Sequence, residues 1–458
     1  MRPGDRVLVV GLGASGEAAA EALLDLGAEV VVTDAGDSTA LAERARRLRA
    51  RGATAQTGGH HTALLDRCDL VVSSPGVPPA SPVLSAARER GIEVWSEIEL
   101  GWSLGSPPVI AVTGTNGKTT TTRLVTEILE AGGIPALAAG NVGLPFTTAV
   151  GRADPGAVIV CEVSSFQLAF IHAFHPRIAI VLNVADDHYD WHAGHQDYLD
   201  AKARVTMNQG PGDLLAVRAQ DAPGTRIAEM SKADVAVFGL ERTAELAGRS
   251  ARELERAPRW VAGIDRAFVT IAGAEDAHEV LPISDIRLPG PHNLENVLAA
   301  CVAAVEWGVE VSAIATAVRS FEGLPHRTAV VAEVDGVTYV DDSKATNPHA
   351  TLRALSGFHR VVLVAGGRAK GLDLSGLRAE GDRLVGLVVM GEAAGELERL
   401  FPELPTRQAR DVEEAVGLAA SLAGPGDVVL LSPACSSLDQ YSSYAERGER
   451  FARAVRAR

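Results

Sequence analysis

The run TGTNGKTT at residues 113–120 sets glycines, a lysine and hydroxyls at the spacing that nucleotide phosphates require. Backbone N–H groups through Gly114, Thr115, Asn116 and Gly117 can form an anion nest. Lys118 can meet phosphate charge, Thr119 can ligate Mg²⁺, and Thr120 adds a hydroxyl. The run departs from GxxxxGK[ST], because Val112 stands where the first glycine would be. CEVSSFQL puts Glu162 at the end of a buried-type strand opposite this loop. An acid there is either a second Mg²⁺ ligand or a solvated carboxylate. NVADDHYDWH gathers acids and histidines past another strand. His188 and His192 stand four apart, as in a zinc pair, but no HExxH and no cysteine partner accompanies them.

Lysine is scarce, which gives each one weight. Of 43 basic residues only Lys118, Lys202, Lys232, Lys344 and Lys370 are lysine. Arginine carries the ordinary surface charge, and Lys232, in a polar stretch, reads as more of it. Lys202, in YLDAKARV, is either solvent charge or a lysine that adds CO₂. A carbamate would turn a cation into a carboxylate-like metal ligand, which guanidinium cannot become.

Three further groups surround this centre. GLGASG at 11–16 follows a strand and precedes a helix, with Asp34 closing the next strand. It suits a dinucleotide, a uridine diphosphate, or tight strand-on-helix packing alone. PGPHNLENV sets Asn293 and Asn296 in the first turn of a helix, to contact adenine or to cap the helix. VDDSKATNP groups Asp342, Lys344 and Thr346 after a strand, GGRAKG repeats that geometry with Lys370, and SPACSSLDQYSSY supplies hydroxyls after the last strand.

The elements that must position these residues alternate strand and helix. A βαβ start covers RVLVV and EVVVT, with DLVVSSPG and GIEVWSEIEL following. A second block opens at VIAVTGTNGK, continues through AVIVCEVSS and RIAIVLNV, and reads as an antiparallel insertion over 232–282. A third alternates GVTYVDD, RVVLVAGG, LVGLVVM and DVVLLSP. The expectation is an α/β chain of three domains. Residues 1–104 form a Rossmann-like domain, 105–326 a central P-loop ATPase-type domain with a mixed sheet, and 327–458 a doubly wound Rossmann-like domain. SLGSPP and GLPHR read as the hinges. At 458 residues the chain exceeds one core, and 47% hydrophobic with 22% charged residues excludes a disordered chain. A net charge of −15 argues against a nucleic-acid coat or a basic membrane-surface module. No apolar run reaches a membrane span, and four cysteines without CxxC spacing suit reduced thiols in a cytoplasm.

Taken in order, GTNGKTT, EVSSFQL, DDHYDWH, AKARV, HNLEN, GLPHR, DDSKATN and SPACSSLDQ resemble the Mur ligase family over essentially the whole chain. Within it, they resemble the branch that joins D-glutamate to UDP-N-acetylmuramoyl-L-alanine. The resemblance implies an ATP-dependent ligase working through an acyl phosphate in peptidoglycan precursor synthesis. It implies a uridine-nucleotide site at Ala14, Ser15, Asp34, Ser74, Pro75 and Gly76, with Asn141 and His188 reaching the muramoyl-alanine arm. Two Mg²⁺ ions would be held by Thr119 and Glu162 and by His188 with carbamylated Lys202; Lys118, Glu162, His188 and Lys202 are the catalytic set. ATP would also meet Asn293, Asn296, Arg327 and Asp342. Lys344, Thr346, Lys370, Ser437 and Tyr444 would position D-glutamate. Gly36 stands where some members carry an arginine near the uracil, and Tyr444 replaces the usual phenylalanine. The expected partners are these small molecules alone, for a cytoplasmic monomer. The competing classes are an NAD-dependent oxidoreductase using GLGASG and a nucleotide-binding scaffold without catalysis.

Overall fold

A computed structural model describes residues 2–187, 191–274 and 276–458. The chain folds as two compact units. One contains residues 2–184, 191–281 and 297–318, the other 185–187, 282–296 and 319–458. Among the described residues no helix is long and apolar enough to cross a membrane.

The first unit holds two sheets. Its five-stranded sheet is parallel throughout, in the order Thr54–Thr57, Glu29–Asp34, Arg6–Val10, Leu70–Ser73 and Glu93–Ser96. The central strands are continuous valine-rich runs because helices cover both faces and leave no polar side to alternate with. Strand order reverses between Arg6–Val10 and Leu70–Ser73, which opens a crevice at their carboxyl ends.

The EIEL run does not continue as strand. Ser96 accepts from the Glu99 N–H and starts a helix, Glu97–Leu104, whose acids suit its first turn. Those acids also tie the two sheets of this unit together. Glu97 accepts from the Thr147 N–H at 2.6 Å and its hydroxyl at 2.7 Å. Glu99 accepts three backbone N–H groups, from His172, Ala173 and Phe174.

The nine-stranded sheet runs Ala277–Pro282, Phe268–Ala272, Trp260–Asp265, Asp234–Phe238, Leu214–Arg218, Ile178–Val181, Val109–Thr113, Val158–Glu162 and Ala136–Gly140. The expected antiparallel insertion over 232–282 is a misreading in its first half. Asp234–Phe238 and Trp260–Asp265 extend the parallel sheet, joined across the helix Thr243–Glu253. The antiparallel direction is found in the 260–265/268–272 pairing. That helix buries just Leu246 and Ser250, so its apolar periodicity was too thin to read.

The second unit has a six-stranded sheet, in the order Ala329–Val334, Val337–Asp341, Val428–Leu431, Val361–Gly366, Leu384–Met390 and Thr406–Gln408. All neighbours are parallel except the edge hairpin of Ala329–Val334 with Val337–Asp341. Carboxyl ends of three adjacent central strands therefore deliver three loops to one rim: 342–347, 367–371 and 432–443.

Candidate functional site

In the first unit, the crevice at the reversal of strand order is a cavity of about 450 Å³. Ala14, Ser15, Asp34, Ser74, Pro75 and Gly76 all line it. The glycine motif is explained by contact distances. A Cβ on Gly16 would lie 1.9 Å from the Gly11 carbonyl oxygen, so only glycine lets this helix start against the strand. Ser74 Oγ donates to that same oxygen at 2.9 Å and closes the floor. Asp34 folds inward: Oδ2 accepts from the Leu12 N–H at 2.6 Å and Oδ1 from the Gly36 N–H at 2.8 Å.

The second sheet positions the phosphate loop. Val109–Thr113 leads into it, and the helix Lys118–Ala131 begins at Gly117, whose left-handed φ of 89° turns the chain. Lys118 Nζ donates to the carbonyls of Gly114 and Thr115, both at 2.9 Å, and so lies folded over the loop. Val112 pairs with Glu162, which sets that acid at the strand end beside the loop. Glu162 Oε1 accepts from Asn141 Nδ2 at 3.0 Å. Oε2 is buried and has no hydrogen-bond partner among the described residues. An orphaned buried carboxylate oxygen is unfavourable by itself and fits a cation position. Thr119, in the first turn of the helix after the loop, carries a hydroxyl oxygen, and such hard oxygens are the donors Mg²⁺ selects.

Lys202 is only 1% exposed. Its Nζ donates to the Gly114 carbonyl at 2.9 Å and lies 4.5 Å from the centre of the Tyr198 ring. It is therefore not surface charge, and it reaches the same loop as Lys118. Tyr198 continues the link, with its OH 3.0 Å from Thr115 Oγ1. His188 lies outside the described residues. His192 takes no part in a zinc pair, since Nδ1 faces Asp197 at 3.1 Å, Nε2 faces Ser165 Oγ at 2.9 Å, and Phe166 stacks on the ring. Among the described residues no three His, Cys, Asp or Glu side chains converge as a metal cage.

In the second unit, Asn293 and Asn296 are buried and linked to each other. Asn293 Nδ2 donates to the Pro289 carbonyl at 2.7 Å, and Asn296 Nδ2 to Asn293 Oδ1 at 3.3 Å. Asp342 accepts from the Thr328 N–H at 3.1 Å and from Ser432 Oγ at 2.8 Å. Burial pushes its carboxyl up to about 7, against the pull of Ser432, Thr328 and the nearby Arg327 guanidinium. Lys344 sets its ammonium 3.8 Å from the centre of the Tyr444 ring, a cation–π contact. Thr346 follows on the same loop, its N–H bonded to the Lys344 carbonyl. Lys370 sits at the second strand end with a left-handed φ of 57°. Ser437 is buried on the third loop.

Comparison with known proteins bears on all three places. The description "Mur ligase MurD-like, N-terminal domain" matches residues 5–96, "Mur ligase middle domain" 112–304, and "Mur ligase, glutamate ligase domain" 326–435. A UDP-N-acetylmuramoylalanine--D-glutamate ligase of Frankia casuarinae is 42% identical over 99% of this chain and 94% of its own. One of Thermobifida fusca is 42% identical over 99% and 98%. The chain belongs to the Mur ligase family. Two solved Mur ligases share its fold. The UDP-N-acetylmuramate-alanine ligase MurC of Thermotoga maritima has a TM-score of 0.60 at 17% identity, covering 99% of each chain. MurF ligase of the same organism, in complex with ADP, has 0.59 at 16%, covering 94% and 95%. The reading of GLGASG as an oxidoreductase's dinucleotide site falls with this membership.

Three residues of this Mur ligase escaped the motif reading. Asn183 holds the phosphate loop by a reciprocal pair: its Oδ1 accepts from the Asn116 N–H and its Nδ2 donates to the Asn116 carbonyl, both at 3.0 Å. The chain has only seven asparagines, and Asn183 opens the NVADDHYDWH run, but neither its rarity nor its motif names the loop residue it holds. His60 lines the first cavity. It follows the carboxyl end of Thr54–Thr57, a short strand that the polar sequence around it does not announce. Arg447 is 1% exposed and binds no carboxylate among the described residues. Its guanidinium donates to Ser343 Oγ and O and reaches the carbonyls of Gly366 and Cys435, one from each loop or strand end on the rim. Burial lowers its pKa to about 10. It braces the loops that carry Lys344, Lys370 and Ser437.

Proposed function

We propose that this Mur ligase joins D-glutamate to UDP-N-acetylmuramoyl-L-alanine at the expense of ATP, as its relatives' name describes. The observation that carries the reading is the 42% identity, over 99% of the chain, to enzymes of that name. The domain division would be 1–104 for the uridine nucleotide, 105–326 for ATP and 327–458 for the amino acid. The protein would act as a cytoplasmic monomer on small molecules, without nucleic acid or membrane.

A carboxylate is a poor acyl donor, so the reaction must activate it. The terminal carboxylate of the muramoyl-alanine arm attacks the γ-phosphorus of ATP, ADP leaves, and an acyl phosphate forms. The neutral amine of D-glutamate then attacks the acyl carbon. The tetrahedral intermediate collapses with loss of phosphate, and the nitrogen gives up its proton. Backbone N–H groups of 114–117 cradle the phosphates, and Lys118 shifts from the loop carbonyls to phosphate oxygens. Thr119 and Glu162 would hold one Mg²⁺, and His188 with carbamylated Lys202 the second. When bound, these ions supply charge neutralisation between the γ-phosphate and the carboxylate. A carbamate on Lys202 keeps one N–H, enough for its bond to Gly114. Asn293, Asn296, Arg327 and Asp342 would hold the rest of ATP. Lys344, Thr346, Lys370, Ser437 and Tyr444 would orient D-glutamate, with Lys370 meeting a carboxylate.

The test is phosphate release across a panel of UDP-muramoyl substrates and amino acids, with products weighed by mass spectrometry. Turnover restricted to UDP-N-acetylmuramoyl-L-alanine with D-glutamate supports the reading. Turnover with another amino acid in its place overturns it.

A further inference from the structure

We propose that His60 reads the uridine half of the nucleotide, by accepting a hydrogen bond at Nε2 from a uracil N–H or a ribose hydroxyl. This deepens the proposed function and rests on the first cavity being a uridine-nucleotide site. Four facts combine. His60 lines that cavity together with Asp34, Ser74, Pro75 and Gly76. Its Nδ1 lies 3.2 Å from Thr33 Oγ1, while Thr33 Oγ1 itself donates to the Gly59 carbonyl at 2.9 Å. A hydroxyl has one proton, so with that proton on Gly59 the oxygen can only accept from the ring. Nδ1 therefore carries the hydrogen, and in the neutral ring Nε2 is a bare acceptor.

Nε2 has no hydrogen-bond partner among the described residues, since Nδ1 takes the contact with Thr33. The acid beside it is already engaged, each Asp34 oxygen holding a backbone N–H of Leu12 or Gly36. Burial and the neighbouring His61 hold the ring's pKa below its ordinary 6.5, outweighing the Asp34 carboxylate, so the acceptor form prevails at neutral pH. The diphosphate is met elsewhere, at the glycine turn and helix start of 11–16. A neutral acceptor in the lining of the same cavity serves a ligand donor, and the uridine half carries such donors.

The experiment is calorimetric titration at pH 8 with UDP, its N3-methyl form, and its 2′-deoxy and 3′-deoxy forms. It uses wild type, His60→Asn and His60→Ala. Asparagine keeps a donor for Thr33 at the Nδ1 position and removes the acceptor at Nε2, so it separates ligand contact from support of the fold. Wild type should lose about three- to tenfold in affinity for one analogue, the size of one neutral hydrogen bond. His60→Asn should lose as much for UDP and no longer distinguish that analogue, which identifies the donor. Variants that keep wild-type affinity, or keep the wild-type preference between analogues, overturn the assignment. A wild type that takes up no uridine nucleotide overturns the cavity's reading as well.

Discussion

Asp342→Asn should stabilise the ligand-free protein in alkali while harming its activity. The Asp342 carboxyl rises from its ordinary 3.8 to about 7 because it is buried. A raised carboxyl pKa makes a contribution that is fully present below the ordinary value and is lost as pH rises through about 7. At pH 8 the ionised carboxylate therefore destabilises the fold by about 4 kcal/mol, and at pH 5 by only about 1 to 2 kcal/mol. The substituted amide need lose no bond. Its oxygen can keep the Thr328 N–H, and its N–H₂ can donate to Ser432 Oγ, which turns its own proton to Thr351 Oγ1 at 3.0 Å. Thr351 in turn donates to the Ser432 carbonyl at 3.2 Å. Wild type and variant should then differ by about 2 to 3 kcal/mol more at pH 8 than at pH 5. Native-state hydrogen exchange at the amides of Val337–Asp341 and Val428–Leu431 reads this locally, without requiring a two-state transition of the whole chain. A difference that does not change with pH would rule out a raised Asp342 pKa, because the amide's fixed effects cancel in that comparison.

Lys118→Ala should abolish ATP-dependent ligation and leave UDP binding within a few-fold by calorimetry, since the loop and the uridine cavity belong to different sheets. Lys370→Ala should raise the KM for D-glutamate about ten- to a hundredfold and spare that for ATP, the worth of one charge-assisted contact. An impaired KM for ATP alone would move Lys370 to the nucleotide. Lys202→Ala should be nearly inactive and recover in part with formate or acetate, whereas Lys202→Arg should be inactive without recovery. Near wild-type turnover in Lys202→Arg would dismiss the carbamate.

The parallel sheets were legible because buried strands must be apolar on both faces. RVLVV, EVVVT and LVGLVVM carry that requirement openly. The phosphate loop was legible for a related reason: its backbone must turn at Gly117 and approach phosphate closely, and few residue types permit either. Less visible were residues whose role arises only from contacts across the fold. Asn183 stands 67 positions from the loop residue it pairs with. Arg447 lies in a helix with three other arginines and is singled out only by the three strand ends it reaches. His60 follows two glycines in a polar stretch, where neither periodicity nor motif points to it. The helix Thr243–Glu253 failed for the opposite reason, having too little buried surface to leave a pattern.

In the proposed reaction a carboxylate is activated by phosphoryl transfer before the amine attacks. Turnover with UDP-N-acetylmuramoyl-L-alanine labelled with ¹⁸O in both oxygens of its terminal carboxylate tests it directly, with the released phosphate analysed by mass spectrometry. An acyl phosphate delivers one carboxylate oxygen to phosphorus and loses it with the leaving phosphate, so each phosphate should carry a single ¹⁸O. Unlabelled phosphate released in step with amide formation would exclude an acyl phosphate.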